Sequence, residues 1–271
     1  MKCIVPYKEL YESKCLNVWV DLSTYCNAGC PQCHRTNPNG LDKVDWLPLV
    51  QWTLEEFQTT FSVGDMHLIG RFEICGTWGD PFMAKDIYKI LKYILDNSTA
   101  NIQINTNGGM RDDEFWWNVG LLDSKRLQVI FDVEGINQEM HSNYRRKVDF
   151  EKLKSHIQCF TAAGGNAFAH VIAFKHNEDY LDKILDMCYN ELGMTGNLVQ
   201  PSNRFHKNGK QVFVDENGNE AILEEVTVKD NTLFTDSGGK AGPIRDHNWY
   251  KKTGYKHVKR GLWTPKDADA K

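Results

Sequence analysis

Six short apolar runs, separated by amphipathic helical stretches, constrain this chain more than any other feature. The runs are Asn17–Leu22, Arg71–Cys75, Asn101–Asn105, Arg126–Val133, Ala167–Phe174 and Asn197–Gln200. The spacing predicts helices between them at Thr53–Phe61, Ala84–Asp96, Asp112–Val119, Asp149–Ala163 and Asn177–Leu192. In the second helix Ile87, Ile90, Leu91 and Ile94 recur at i, i+3, i+4 and i+7 and make one apolar face. In the third, Asp112, Asp113 and Glu114 put acids at the helix start, where the dipole favours them. Strands alternating with helices predict an α/β fold with a parallel sheet and right-handed crossovers.

In such folds the reactive loops leave the C-terminal ends of the strands. Four polar segments fall at those ends: Cys26–Cys33, Gly76–Pro81, Asn105–Gly109 and Asp132–Gly135. They are therefore expected on one face. Beyond about Gln200 the pattern changes. Val212–Leu223 reads as a hairpin around a polar Gly turn, and the rest is rich in Gly, Lys and aromatics. The expected division is a strand–helix unit over 1–200 and a mixed C-terminal extension over 201–271, with Lys266–Lys271 disordered.

Composition narrows the class. A hydrophobic fraction of 41% with 25% charged residues is that of a soluble globular protein. The net charge of −4 gives no bulk attraction to nucleic acid or anionic lipid. No apolar stretch approaches the ~20 residues that span a bilayer, and Met1–Glu9 holds no apolar signal core. The chain reads as cytoplasmic, with no membrane partner.

Of eight cysteines, Cys3, Cys15, Cys75, Cys159 and Cys188 stand alone, as small buried residues of a reducing compartment do. Cys26, Cys30 and Cys33 are different: CxxxCxxC has ligand spacing and directly follows the first strand. Three such cysteines can hold three irons of a [4Fe–4S] cluster and leave the fourth open to a small molecule. The alternative is a Cys₃His zinc site with His34, although structural zinc sites usually draw two ligand pairs from separate turns.

On this triplet and its position, the chain resembles the radical S-adenosylmethionine (SAM) superfamily over roughly residues 15–200. The resemblance implies a partial (β/α)₆ barrel, a [4Fe–4S] cluster on Cys26, Cys30 and Cys33, and SAM bound at the open iron. It also implies a reductant such as flavodoxin or ferredoxin. SAM would be cleaved reductively to a 5′-deoxyadenosyl radical that abstracts hydrogen from substrate. Gln32 stands where the family usually has an aromatic and offers mainly backbone towards adenine. Gly76-Thr77-Trp78-Gly79-Asp80 resembles the segment that binds the methionine amino group, with Asp80 in place of the usual Glu. Asn105-Thr106-Asn107 resembles the family's TNG segment. Asp132 and Glu134 match its next strand end, where two acids need a cation or hydroxyls to coexist. Arg145 or Arg146 could pair with the SAM carboxylate, with Tyr144 beside it, and His170 is a further pocket candidate.

Gly-Asp-Pro, Thr-Asn-Gly and Tyr-Arg-Arg together resemble radical SAM proteins often carried by phages. Their relatives with extra C-terminal cysteines act on peptides, and this chain lacks those cysteines. Two substrate classes follow, peptide or protein on the motif resemblance, and nucleotide or nucleic acid on the tail. From Arg245 to Lys271 that tail carries eight Lys/Arg against three acids, interleaved with aromatics. A non-catalytic zinc or iron–sulfur binding module is the third reading.

Overall fold

A computed structural model of the 271-residue chain describes residues 16–205 and 208–227, and the backbone of Tyr255–Lys259 and Leu262–Pro265. Six parallel strands occupy the expected runs: β1 (Leu16–Val20), β2 (Ile69–Ile74), β3 (Asn101–Thr106), β4 (Leu127–Asp132), β5 (Asn166–Ala173) and β6 (Gly196–Pro201). They pair in sequence order, as right-handed strand–helix–strand units dictate. The sheet does not close, so the architecture is the partial barrel of six strand–helix units that the resemblance implied.

Among the described residues seven helices cover the sheet: α1 (Leu54–Thr60), α2 (Val63–Met66), α3 (Ile87–Asn97), α4 (Asp113–Gly120), α5 (Gln138–Ser142), α6 (Phe150–Ala162) and α7 (Leu181–Asp186). Their starts are written locally. Thr53 and Glu56 form a reciprocal capping box on α1, and Asp112, Asn137 and Asp149 cap α4, α5 and α6. On α3 the buried stripe is Ile87, Ile90, Leu91, Ile94 and Leu95. Each contributes about 1.5–3 kcal/mol when removed from water. Trp116, Phe131 and Phe160 carry the same core across to α4, β4 and α6.

Three features depart from expectation. The helix predicted over Asn177–Leu192 is broken into a 3₁₀ turn (Glu178–Tyr180), α7 and a π-turn (Met187–Glu191). Asn177 starts it differently from a simple cap. Its amide braces the β5 exit, donating to the carbonyls of Glu134 and Ile172 and accepting from the Phe174 amide. The short helices α2 and α5 were not expected, because four or five residues carry too little periodicity to recognise.

The third departure lies in the extension. The hairpin β7 (Lys210–Val214) and β8 (Glu220–Glu224) forms as predicted. However, β9 (Tyr255–Lys259) and β10 (Leu262–Pro265) join the main sheet antiparallel at the β6 edge, giving the order β1-β2-β3-β4-β5-β6-β10-β9. Residues 245–254, 260–261 and 266–271 of the basic tail, and Cys3 and Cys15, lie outside the described residues. Among the described residues no helix is long and apolar enough to cross a membrane.

Candidate functional site

The four polar segments converge at the C-terminal edge of the sheet and line one cleft of about 330 Å³, within the range of small-molecule sites. Cys26, Cys30 and Cys33 lie on the loop after β1, and all three are free thiols. That loop is fixed by backbone bonds from Cys33 to the Cys30 carbonyl (3.1 Å) and from Gly29 to the Arg146 carbonyl (3.0 Å). Burial pushes the Cys30 thiol up to about 11 and raises Cys26 as well. Both sulfurs nevertheless face nitrogen donors: Asn107 Nδ2 lies 3.6 Å from Cys26, and an Arg145 terminal nitrogen lies 3.5 Å from Cys30.

Among the described residues no three His, Cys, Asp or Glu side chains converge on a single ion, and His34 is exposed. A zinc site needs its donors about 2.0–2.3 Å from one point. Three free soft thiols on one loop, with N–H donors beside two of them, suit a cluster in which each cysteine takes its own iron.

The segment after β2 packs against this loop through backbone. Asp80 N donates to the Tyr25 carbonyl at 2.7 Å, and a Cβ on Gly79 would overlap the Ser23 and Tyr25 carbonyls, so only glycine fits. Gly76, Thr77, Gly79 and Asp80 line the cleft. Asp80 is buried, and its carboxylate turns into the protein. Oδ1 accepts from Phe82 N (3.0 Å), Oδ2 accepts from Asn107 N (2.8 Å), and both lie within 3.0 Å of the Thr106 hydroxyl. Burial pushes its acid up to about 6 even against those donors.

Asn105, Thr106 and Asn107, at the end of β3, line the cleft as expected. Gly108 N donates to Thr106 Oγ1, and Asn107 Nδ2 also donates to Asn27 Oδ1 at 2.9 Å. A chain of hydrogen bonds thus runs from Asp80 through the β3 exit to the cysteine loop.

The two acids expected after β4 are both present and share one cation. Arg145 grips buried Glu134 with two bonds of 2.9 Å and reaches Asp132 Oδ2 at 2.9 Å. Burial opposes ionisation of both acids. At Asp132 the Arg145 guanidinium and the hydrogen bond to His170 outweigh it and hold the carboxyl below its usual value, whereas at Glu134 burial wins and the acid is raised. Asp132 Oδ1 also lies 2.6 Å from His170 Nδ1, and His170 Nε2 lies 2.8 Å from the Gln200 amide. His170 and Gln200, on β5 and β6, complete the far wall with Tyr144.

Several expectations need correction. Gln32 and Trp78 do not line the cleft. The Gln32 side chain is buried towards Ser202, its carbonyl accepts from Arg204, and Trp78 packs edge-on to Trp46. Cys33 after Gln32, and Thr77 and Gly79 on either side of Trp78, do line the cleft. Arg146 cannot serve the cleft as Arg145 does. Its guanidinium donates to the carbonyls of Gly29 and Val214 and lies over the Phe213 ring, clamping the β7–β8 hairpin onto the cysteine loop. Arg35 and the Ser202–Arg204 loop line the cleft unannounced. Arg35 follows Cys33 closely enough to have been suspected, but no sequence signal marks the loop after β6.

A family model described as the radical SAM superfamily matches residues 20–188. The chain belongs to that superfamily. Among solved structures it is similar to SuiB of Streptococcus suis bound to S-adenosylmethionine, at 14% identity and a TM-score of 0.55, covering 71% of this chain and 42% of that one. SuiB bound to the precursor peptide SuiA is matched at 14% identity and 0.55, over 69% and 39%. anSMEcpe with bound AdoMet is matched at 16% identity and 0.53, over 68% and 51%. The chain thus spans roughly two fifths of SuiB and half of anSMEcpe, and at such identities the likeness is one of fold. No curated protein matches it.

Proposed function

We propose that this protein is a radical SAM enzyme that modifies a peptide or protein. The observation that carries the reading is the single cleft onto which the three free cysteines and the exits of β2, β3 and β4 all open. Cys26, Cys30 and Cys33 would hold a [4Fe–4S] cluster, and Gly76, Thr77, Gly79, Asn105, Asn107, Asp132 and Arg145 would surround SAM. When bound, the cluster supplies the electron, received from a flavodoxin- or ferredoxin-like donor, that cleaves SAM to methionine and a 5′-deoxyadenosyl radical able to take hydrogen from substrate.

The protein's own part is positioning and exclusion of water. Asp80 orients the β3 exit and leaves backbone carbonyls of the Gly76–Gly79 loop to meet an ammonium. Arg145 keeps Asp132 ionised, and Asp132 in turn orients His170 with Nδ1–H towards it and Nε2 towards Gln200. Ala28, Cys30, Tyr144, Phe174, Phe213 and Leu223 pack into an apolar cluster behind the cysteine loop. The peptide class is supported by the motif resemblance, and SuiB offers a relative of this fold with a bound precursor peptide. The test is anaerobic reconstitution with iron, sulfide, dithionite and SAM. 5′-Deoxyadenosine should form, and formation no greater than in a Cys30→Ala control refutes the enzyme reading.

A further inference from the structure

Cys75 brings a further thiol to the cleft, in surroundings opposite to those of the cysteine loop. It directly follows β2, is free and half-buried, and lines the same cleft as Cys26, Cys30 and Cys33. Alternation along β2 puts Arg71, Glu73 and Cys75 on one face, while Phe72 and Ile74 bury on the other. Cys26 and Cys30 face N–H donors, which favour the thiolate that binds metal. Cys75 instead feels the carboxylates of Glu73 and Asp21. Arg71 opposes them, but it is paired with Glu73 at 2.9 Å, while Asp21 accepts from Thr77 N at 3.1 Å. Burial is the largest cause, the two acids add to it, and together they push the thiol up to about 11. Cys75 therefore keeps its proton through the neutral range, which suits neither a metal ligand nor a nucleophile. It suits a different chemistry. An S–H bond is weaker than an aliphatic C–H bond, so a thiol yields a hydrogen atom to a carbon radical, whereas a thiolate has none to give.

We propose that Cys75 is a catalytic hydrogen-atom donor to carbon radicals formed in the cleft. The inference rests on the radical SAM reading for the source of those radicals. In the step the S–H bond breaks homolytically, a C–H bond forms at the radical carbon, and a Cys75 thiyl is left. One electron from the flavodoxin- or ferredoxin-like donor and one proton from solvent restore the thiol. A substrate that loses hydrogen to the 5′-deoxyadenosyl radical and regains it from Cys75 is inverted or rearranged at carbon without net oxidation. The reaction class is therefore redox-neutral for the substrate, and it leaves a solvent-derived hydrogen in the product.

Two readouts on the reconstituted protein test this, with SAM as the probe. In deuterium oxide the thiol becomes S–D. Given dithionite and SAM but no substrate, wild type should then release 5′-deoxyadenosine carrying one deuterium, read by mass spectrometry. Cys75→Ala and Cys75→Ser, at unchanged iron content, should lower the labelled fraction at least tenfold, while Tyr144→Phe, which removes a phenol from the same cleft, should keep it. Separately, the rate at which iodoacetamide alkylates Cys75 should climb with every step from pH 7 to 10, and Glu73→Gln should react faster than wild type throughout. Unlabelled 5′-deoxyadenosine from wild type overturns the proposal and leaves the radical SAM reading standing. The same holds for a label that survives in both Cys75 variants or disappears in Tyr144→Phe, and for Cys75 variants that lose iron or form no 5′-deoxyadenosine. An alkylation rate that bends over near pH 9, as an ordinary thiol's does, also overturns it. Wild type that forms no 5′-deoxyadenosine at all overturns both.

Discussion

Asp80 shows how one methylene redirects a residue. From sequence it stands where a longer acid would reach a ligand ammonium. In the fold its carboxylate is consumed by Phe82 N, Asn107 N and the Thr106 hydroxyl. The folded pKa is raised to about 6 from 3.8, burial being the largest cause. An acid raised on folding binds more protons folded than unfolded between those values. Its contribution is therefore complete below about pH 4 and is lost as pH climbs through 6, a change on the order of 2–3 kcal/mol. Asp80→Asn does not titrate. Urea unfolding of the metal-free protein at pH 4, 5, 6 and 7 should show wild type losing stability relative to Asp80→Asn across that window. A flat difference would mean the carboxyl ionises as readily folded as unfolded.

At the scale of elements, the β7–β8 hairpin acts as a brace for the cysteine loop. Arg146 ties Val214 to Gly29, Gln211 Nε2 donates to the Pro31 carbonyl at 2.8 Å, and Phe213 and Leu223 bury against Ala28 and Cys30. Phe213→Ala should cost about 3–5 kcal/mol if the site cannot collapse. More specifically, it should speed hydrogen exchange at the Gly29 and Cys33 amides and iron loss to a chelator, with the β2–β3 core unaffected. Uniform loss of protection would make Phe213 an ordinary core residue. The hairpin was legible from Val212–Leu223, because alternating residues around a Gly turn are a local signal. Its docking was not. Nothing in the order of residues says that Arg146 turns to the hairpin while Arg145 turns to the cleft, since adjacent residues diverge only once the α5 exit is set against both.

Across the whole molecule, a cluster held by Cys26, Cys30 and Cys33 would bind the folded chain and not the unfolded one, and so stabilise it by mass action. Reconstitution with iron and sulfide should raise the unfolding temperature by several degrees, at roughly 2–4 °C per kcal/mol for a chain near this size. Differential scanning calorimetry should find the gain absent in Cys26→Ala. An equal gain in that variant would place the metal elsewhere. The strand–helix alternation, the parallel order, the cysteine ligand spacing and the face that gathers the loops could all be read from residue order, because each rests on periodicity or short-range spacing. The cleft's charge balance could not. That Arg145 is neutralised by Asp132 and Glu134, that Asp80 faces inward, and that His170 bridges Asp132 to Gln200 depend on residues from different strands meeting at one edge. Only the folded sheet brings those strand ends together, so only it decides which charges pair with one another and which side chains face the cleft.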